Sequence, residues 1–126
     1  MTMSPNDELN PSQCKVVVAL DAIVGKWKPI LLLQLMTGGT KRFSELRKLI
    51  PNITQRMLTS QLRDLEEQDL IQRVIYAQIP PKVEYSITDY GKTLMPLLHE
   101  MHKWGVAHLE HMDEKGLEDS IPIGDA

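Results

Sequence analysis

The chain has 126 residues, 42% hydrophobic and 25% charged, an ordinary globular composition for one domain. Its longest apolar run, Pro29 to Leu33, falls far short of the roughly 20 residues that cross a bilayer, and its single cysteine excludes an internal disulfide and a cysteine-rich zinc site. The net charge of −3 hides an uneven distribution: Lys26 to Arg63 holds eight basic residues against one acid, Glu45, which points to an anionic partner for that segment.

Residues 1–11 are polar, contain Pro5 and Pro11, and read as a flexible N-terminal arm. With no basic start and no apolar stretch they do not read as a signal peptide, so the expected compartment is the cytoplasm. Ser12 is placed to cap a first helix over about 13–24, with Val16, Val17, Leu20, Ile23 and Val24 at helical spacing and Gly25 as its stop. A second helix begins near Pro29, which suits a first turn because the N–H it lacks has no partner there. Ile30 to Met36 is apolar on nearly all sides and reads as a buried spine ending at Gly38-Gly39. Phe43, Leu46, Leu49 and Ile50 mark a short helix from about Ser44 to Pro51. After the turn Pro51-Asn52-Ile53, Thr54 caps a helix reaching about Gln68, with Leu58, Leu62 and Leu65 as its buried stripe.

At roughly 100° per residue, Arg56, Thr59, Ser60 and Arg63 face away from that stripe, and no acid precedes Asp64 on this helix. A short helix, a tight turn and a helix with a basic, hydroxyl-bearing outer face is the helix-turn-helix arrangement. Arginine's planar fork grips guanine O6 and N7 together, Thr and Ser donate to phosphates or base edges, and Gln55 near the helix start can pair with adenine. Lys41, Arg42, Ser44, Arg47 and Lys48 flank the motif as contacts to the DNA backbone, which position a protein without reading sequence. Ile71 to Tyr76 and Val83 to Ile87 alternate as two strands. Pro80-Pro81 belong at the tip between them, because proline cannot donate to a ladder. A hairpin directly after a recognition-type helix is a wing, with Gln78 and Lys82 as its candidate DNA contacts.

Thr88 caps a final helix to about Lys115, kinked near Lys92 by Pro96. Leu94, Leu97, Leu98, Met101, Gly105 and Met112, with Trp104 at the edge, form an apolar stripe longer than a domain of this size covers, so it needs another surface. Residues 12–115 are therefore read as the folded domain and 116–126 as a disordered acidic tail. His99, His102, His108 and His111 all lie on this helix, but His99 and His108 are about half a turn apart and cannot converge on one ion. No metal and no cofactor is expected. Trp27 and Trp104 read as core or interface residues. Enzyme chemistry finds no Gly-rich phosphate loop, and Asp21, Asp64 and Glu67 are scattered.

Gly25-Lys26-Trp27, Arg42-Phe43-Ser44-Glu45-Leu46, Ile53-Thr54-Gln55-Arg56-Met57-Leu58-Thr59, Leu62-Arg63-Asp64-Leu65-Glu66, Pro80-Pro81-Lys82-Val83-Glu84-Tyr85 and Thr88-Asp89-Tyr90-Gly91 together resemble the HxlR family. These are bacterial and archaeal winged helix-turn-helix regulators, relatives of the MarR type, and the resemblance spans about Cys14 to Trp104. It implies a mainly α fold with a small β-hairpin wing and a homodimer built from the first and last helices. The implied function is sequence-specific binding of double-stranded DNA at a pseudo-palindromic operator, commonly for repression. The resemblance also makes Cys14 a candidate sensor of oxidants or electrophiles. The family's Cys-Pro is here Cys14-Lys15, and no second cysteine exists for a mixed pairing. A helix start and the neighbouring Lys15 favour a thiolate, and the competing reading is a small, buried, inert apolar residue. A winged helix used for protein–protein contact is the alternative from another class; such modules usually lack the basic outer face on the second helix.

Overall fold

In the computed structural model, residues 10, 11 and 13–116 are described. The elements are α1 (Lys15–Ile23), α2 (Trp27–Gly38), β1 (Lys41–Arg42), α3 (Phe43–Leu49), α4 (Gln55–Glu67), β2 (Ile71–Tyr76), β3 (Lys82–Ile87), a 3₁₀ turn (Gly91–Leu94) and α5 (Met95–Glu114). The expected cap Ser12, and the arm and tail apart from residues 10, 11 and 116, lie outside the described residues. Two compact units divide the chain, Met1–Thr93 and Leu94–Ala126. Among the described residues no helix is long and apolar enough to cross a membrane.

Leucines of three helices supply much of the core of the first unit. Leu58, Leu62 and Leu65 of α4 are buried, as are Leu31, Leu32 and Leu35 of α2 and Leu46 of α3, and α2 packs on α4. Helix α2 is not buried all round: Ile30 and Leu33 stay exposed on its other side. The helix begins at Trp27, so Pro29 occupies its third position, where the missing N–H still costs no hydrogen bond. On α1 only Ile23 is buried, while Val16, Val18 and Leu20, and Val24 just beyond its end, are exposed.

The hairpin is part of a three-stranded sheet in the order β1-β3-β2. Both pairings are antiparallel, with Arg42 opposite Glu84, and Val74 and Tyr76 opposite Glu84 and Lys82. Strand β1 escapes sequence reading because two residues carry no period of their own; their partner on β3 makes them a strand. Lys82 opens β3 rather than occupying the tip. Its Nζ lies 3.3 Å from Glu84 Oε2 and 4.9 Å from the centre of the Tyr76 ring.

The long kinked final helix does not occur. Pro96 sits in the first turn of α5, where proline is tolerated, and the 3₁₀ turn precedes it. That turn is tied to the end of α4. The Thr88 amide donates to the Leu70 carbonyl at 3.1 Å, its hydroxyl lies 2.6 Å from the Asp69 carbonyl oxygen, and Gly91 N–H donates to that hydroxyl at 2.8 Å. Gly91 is required by space. A Cβ there would stand 2.1 Å from the Leu70 carbonyl oxygen and 2.8 Å from Ile87 Cδ1.

Two predictions follow from this packing. Gly91→Ala must displace the Leu70 backbone and should cost about 1–3 kcal/mol or more; an unchanged urea midpoint would refute the close approach. On the wing, the Tyr76 hydroxyl bonded to Glu84 is the main cause that holds the Glu84 carboxyl below its usual range, and Glu84 in turn raises Tyr76 above 10.0. The Glu84 contribution to stability is therefore present above the unfolded carboxylate value and is lost as pH falls through the lower folded value. Glu84→Gln should bring the Tyr76 titration back toward 10.0 in ultraviolet absorbance, and a midpoint that does not move contradicts the contact.

Candidate nucleic-acid interface

The turn between α3 and α4 is made by residue type. Pro51 cannot continue α3, and Asn52 takes φ 70°, a left-handed conformation its short polar side chain tolerates. Thr54 then caps α4, its hydroxyl accepting from Met57 N–H at 3.0 Å. At the far end Asp69 also adopts positive φ, 61°. The Asp69 and Leu70 amides donate to the Glu66 and Leu65 carbonyls at 2.9 and 3.0 Å, the paired bonds of a Schellman cap. Helix α4 thus enters and leaves the domain at defined points.

Burial of the leucine stripe turns the opposite face outward. Gln55, Arg56, Thr59, Ser60 and Arg63 line one open groove on that face. Arg56 and Arg63 are exposed and make no salt bridge among the described residues. Thr59 donates its hydroxyl to the Gln55 carbonyl at 2.9 Å, which leaves it lone pairs to offer a ligand. Asp64 and Glu67 line the same groove. Sequence reading passed over this acidic end, although a helical wheel sets Asp64 only about 40° from Ser60.

Ser44, Arg47 and Lys48 share a second open concavity on α3. Arg42 keeps an exposed side chain while its N–H donates to Glu45 Oε1 at 2.8 Å, fixing the first turn of α3. Lys41 also makes a contact within the protein. Its ammonium donates to the Gly38 carbonyl at the end of α2 and its side chain is partly buried. Lys28, counted in the basic segment, is buried and ion-paired with Asp64. On the wing, Gln78 is exposed with its N–H bonded to the Tyr76 carbonyl at 3.0 Å.

The expected interface residues divide. Leu97, Met101 and Trp104 on α5 are exposed, Leu94, Gly105 and Met112 are partly so, and Leu98 is buried. Trp104 stacks on His108, with ring centres 4.8 Å apart. Among the described residues no three His, Cys, Asp or Glu side chains are grouped to hold a metal. Cys14 is buried at the head of α1, its N–H donating to the Asn10 carbonyl at 2.8 Å.

Known proteins share this arrangement. The HTH-type transcriptional regulator YdeP of Bacillus subtilis is 54% identical over 101 residues, 80% of this chain and 78% of its own. YybR of the same organism, also an HTH-type transcriptional regulator by name, is 46% identical over 113 residues, 90% of each chain. Among solved structures, the redox regulator HypR in its reduced form superposes with a TM-score of 0.74 at 47% identity, over 79% of this chain and 98% of that one; its oxidised form is similar too. The profile of the HxlR-like helix-turn-helix family matches residues 22–113. This chain belongs to that family.

Proposed function

We propose that this protein is a transcriptional regulator that lays α4 in the major groove of double-stranded DNA. The observation that carries the reading is the groove on α4, where Gln55, Arg56, Thr59, Ser60 and Arg63 meet on one outward face. Arg56 and Arg63 take base edges there, with Gln55 at the helix start. Arg42, Ser44, Arg47 and Lys48 take phosphates beside it. On the wing Gln78 is free to approach the DNA, and Lys82 does so by exchanging Glu84 for a phosphate. The cytoplasm is the compartment this partner implies.

A second copy completes the molecule. Helix α1 leaves Val16, Leu20 and Val24 in water, and α5 leaves Leu97, Met101 and Trp104. Burying such side chains is worth about 1.5–3 kcal/mol each, so each apolar face favours a partner. A two-fold homodimer presents two α4 helices to half-sites about one helical turn apart, which makes the operator pseudo-palindromic. Repression follows if that operator overlaps a promoter.

Arg56→Ala or Arg63→Ala should cost about 1–3 kcal/mol of operator affinity. Lys48→Ala should weaken binding evenly across sequences and lower the salt slope by about one unit. Unchanged affinity in the double arginine variant would overturn the assignment, and affinity nearly indifferent to salt would favour an apolar protein partner instead.

The effector reading rests on Cys14 and on likeness to a protein named as a redox regulator. With one cysteine per chain, the available products are a Cys14–Cys14 disulfide between subunits, a mixed disulfide with a small thiol, or an alkylated adduct. Burial at the head of α1 means that any of them must disturb the N-terminal turn of that helix. Oxidant should therefore change operator affinity in the native protein and not in Cys14→Ser. Identical binding by both, with and without oxidant, removes Cys14 from regulation.

A further inference from the structure

Lys28 is the one charged side chain buried among the described residues. Neither burial nor local position explains a lysine there. Burial penalises its charge, and the second position of α2 lies at the positive end of the helix dipole, which disfavours a cation. Its partner supplies the reason. Lys28 Nζ lies 3.4 Å from Asp64 Oδ2, and the Asp64 side chain is 48% exposed at the rim of the α4 groove.

Asp64 is the sole acid among the first ten residues of α4, and it lines the same groove as Arg56 and Arg63. A carboxylate on a face that meets phosphates repels them. We propose that Lys28 is a positioning residue for DNA recognition: from inside the domain it offsets the charge of Asp64, so that the arginine face meets DNA without an opposing carboxylate. The lysine never touches the nucleic acid. The pair also joins α2 to α4 across the leucine interface, and holds the carboxylate toward the protein side of the groove. This inference rests on the DNA reading above.

The test uses a duplex selected from random-sequence DNA by the full-length protein, with binding measured at low and high salt and urea midpoints recorded alongside. Lys28→Met leaves Asp64 unopposed. It should bind about five- to tenfold more weakly at low salt and about twofold more weakly at high salt, because screening removes the repulsion. Lys28→Met/Asp64→Asn has no charge at either position and should return to within about twofold of wild type. A merely structural role for the pair gives a different pattern, namely a loss equal at both salts that persists in the double variant. That pattern overturns the proposal, as does unchanged binding by folded Lys28→Met. Should Lys28→Met fail to fold, the neutral pair decides alone: binding within about twofold of wild type supports the proposal, and a tenfold loss overturns it. Arg56→Ala/Arg63→Ala separates the two levels. If that variant binds as wild type, the DNA reading and this inference fall together. If it loses affinity while Lys28→Met does not, only this inference falls.

Discussion

Leu58, Leu62 and Leu65 are removed from water along one face of α4, and each such burial is worth about 1.5–3 kcal/mol. Rotating the helix by half a turn would expose all three and drive Arg56 and Arg63 toward the core, where unpaired charge is far more costly. The apolar packing of α4, on α2 and β2 together, therefore decides which of its side chains face outward. The outward face is what remains after the core has taken its share. Its composition can be varied without refolding the domain, because none of the exposed arginines supports the packing beneath.

The distribution of charge obeys a second constraint, that a cation in a partly dry place finds a partner. Lys28 is buried and has Asp64, Lys41 has the Gly38 carbonyl, and Lys82 has Glu84 and the Tyr76 ring. Arg47, Lys48, Arg56 and Arg63 are exposed and make no such ion pair among the described residues. The formal charge of the basic segment thus overstates the field a ligand encounters, while the cations left over gather on α3 and α4. That sorting is what converts an acidic protein into one with a local attraction for phosphate.

Local patterns were legible in the sequence, and long-range ones were not. The leucine stripe of α4, its Thr54 cap, the stop at Pro51 and the presence of two strands depend on neighbours a few residues away, and each formed as read, although β2 is exposed on both faces beyond Ile71. Ile30 to Met36 carries no period, so which side faced the core could not be read; that Leu31, Leu32 and Leu35 are the buried ones depends on what packs on α2, β3 and α4 both included. Pro96 fits either a kink or a helix start. The choice was made by Thr88 and Gly91, which fasten the preceding turn to Asp69 and Leu70 through contacts about 20 residues apart in sequence. At the site, the outward residues of α4 were legible from angle alone, whereas the engagement of Lys28, Lys41 and Lys82 depends on which acids and carbonyls the fold brings near.

These long-range ties bear on recognition through entropy. Both ends of α4 are satisfied within the protein, by Thr54 at the start and by the Asp69 and Leu70 amides at the end. The hydroxyl of Thr88 fastens onto that same C-terminal turn, and Gly91 lets the chain pass close enough to do so. A helix held in this way is formed before any DNA arrives. Binding then orders only exposed side chains, at about 0.5–1.5 kcal/mol each, and not the backbone that carries them. In the proposed DNA reading, the five side chains assigned to recognition stand on a fixed helix, so a mismatched base cannot be accommodated by letting the helix move. In that reading the caps that look like folding details are part of the specificity.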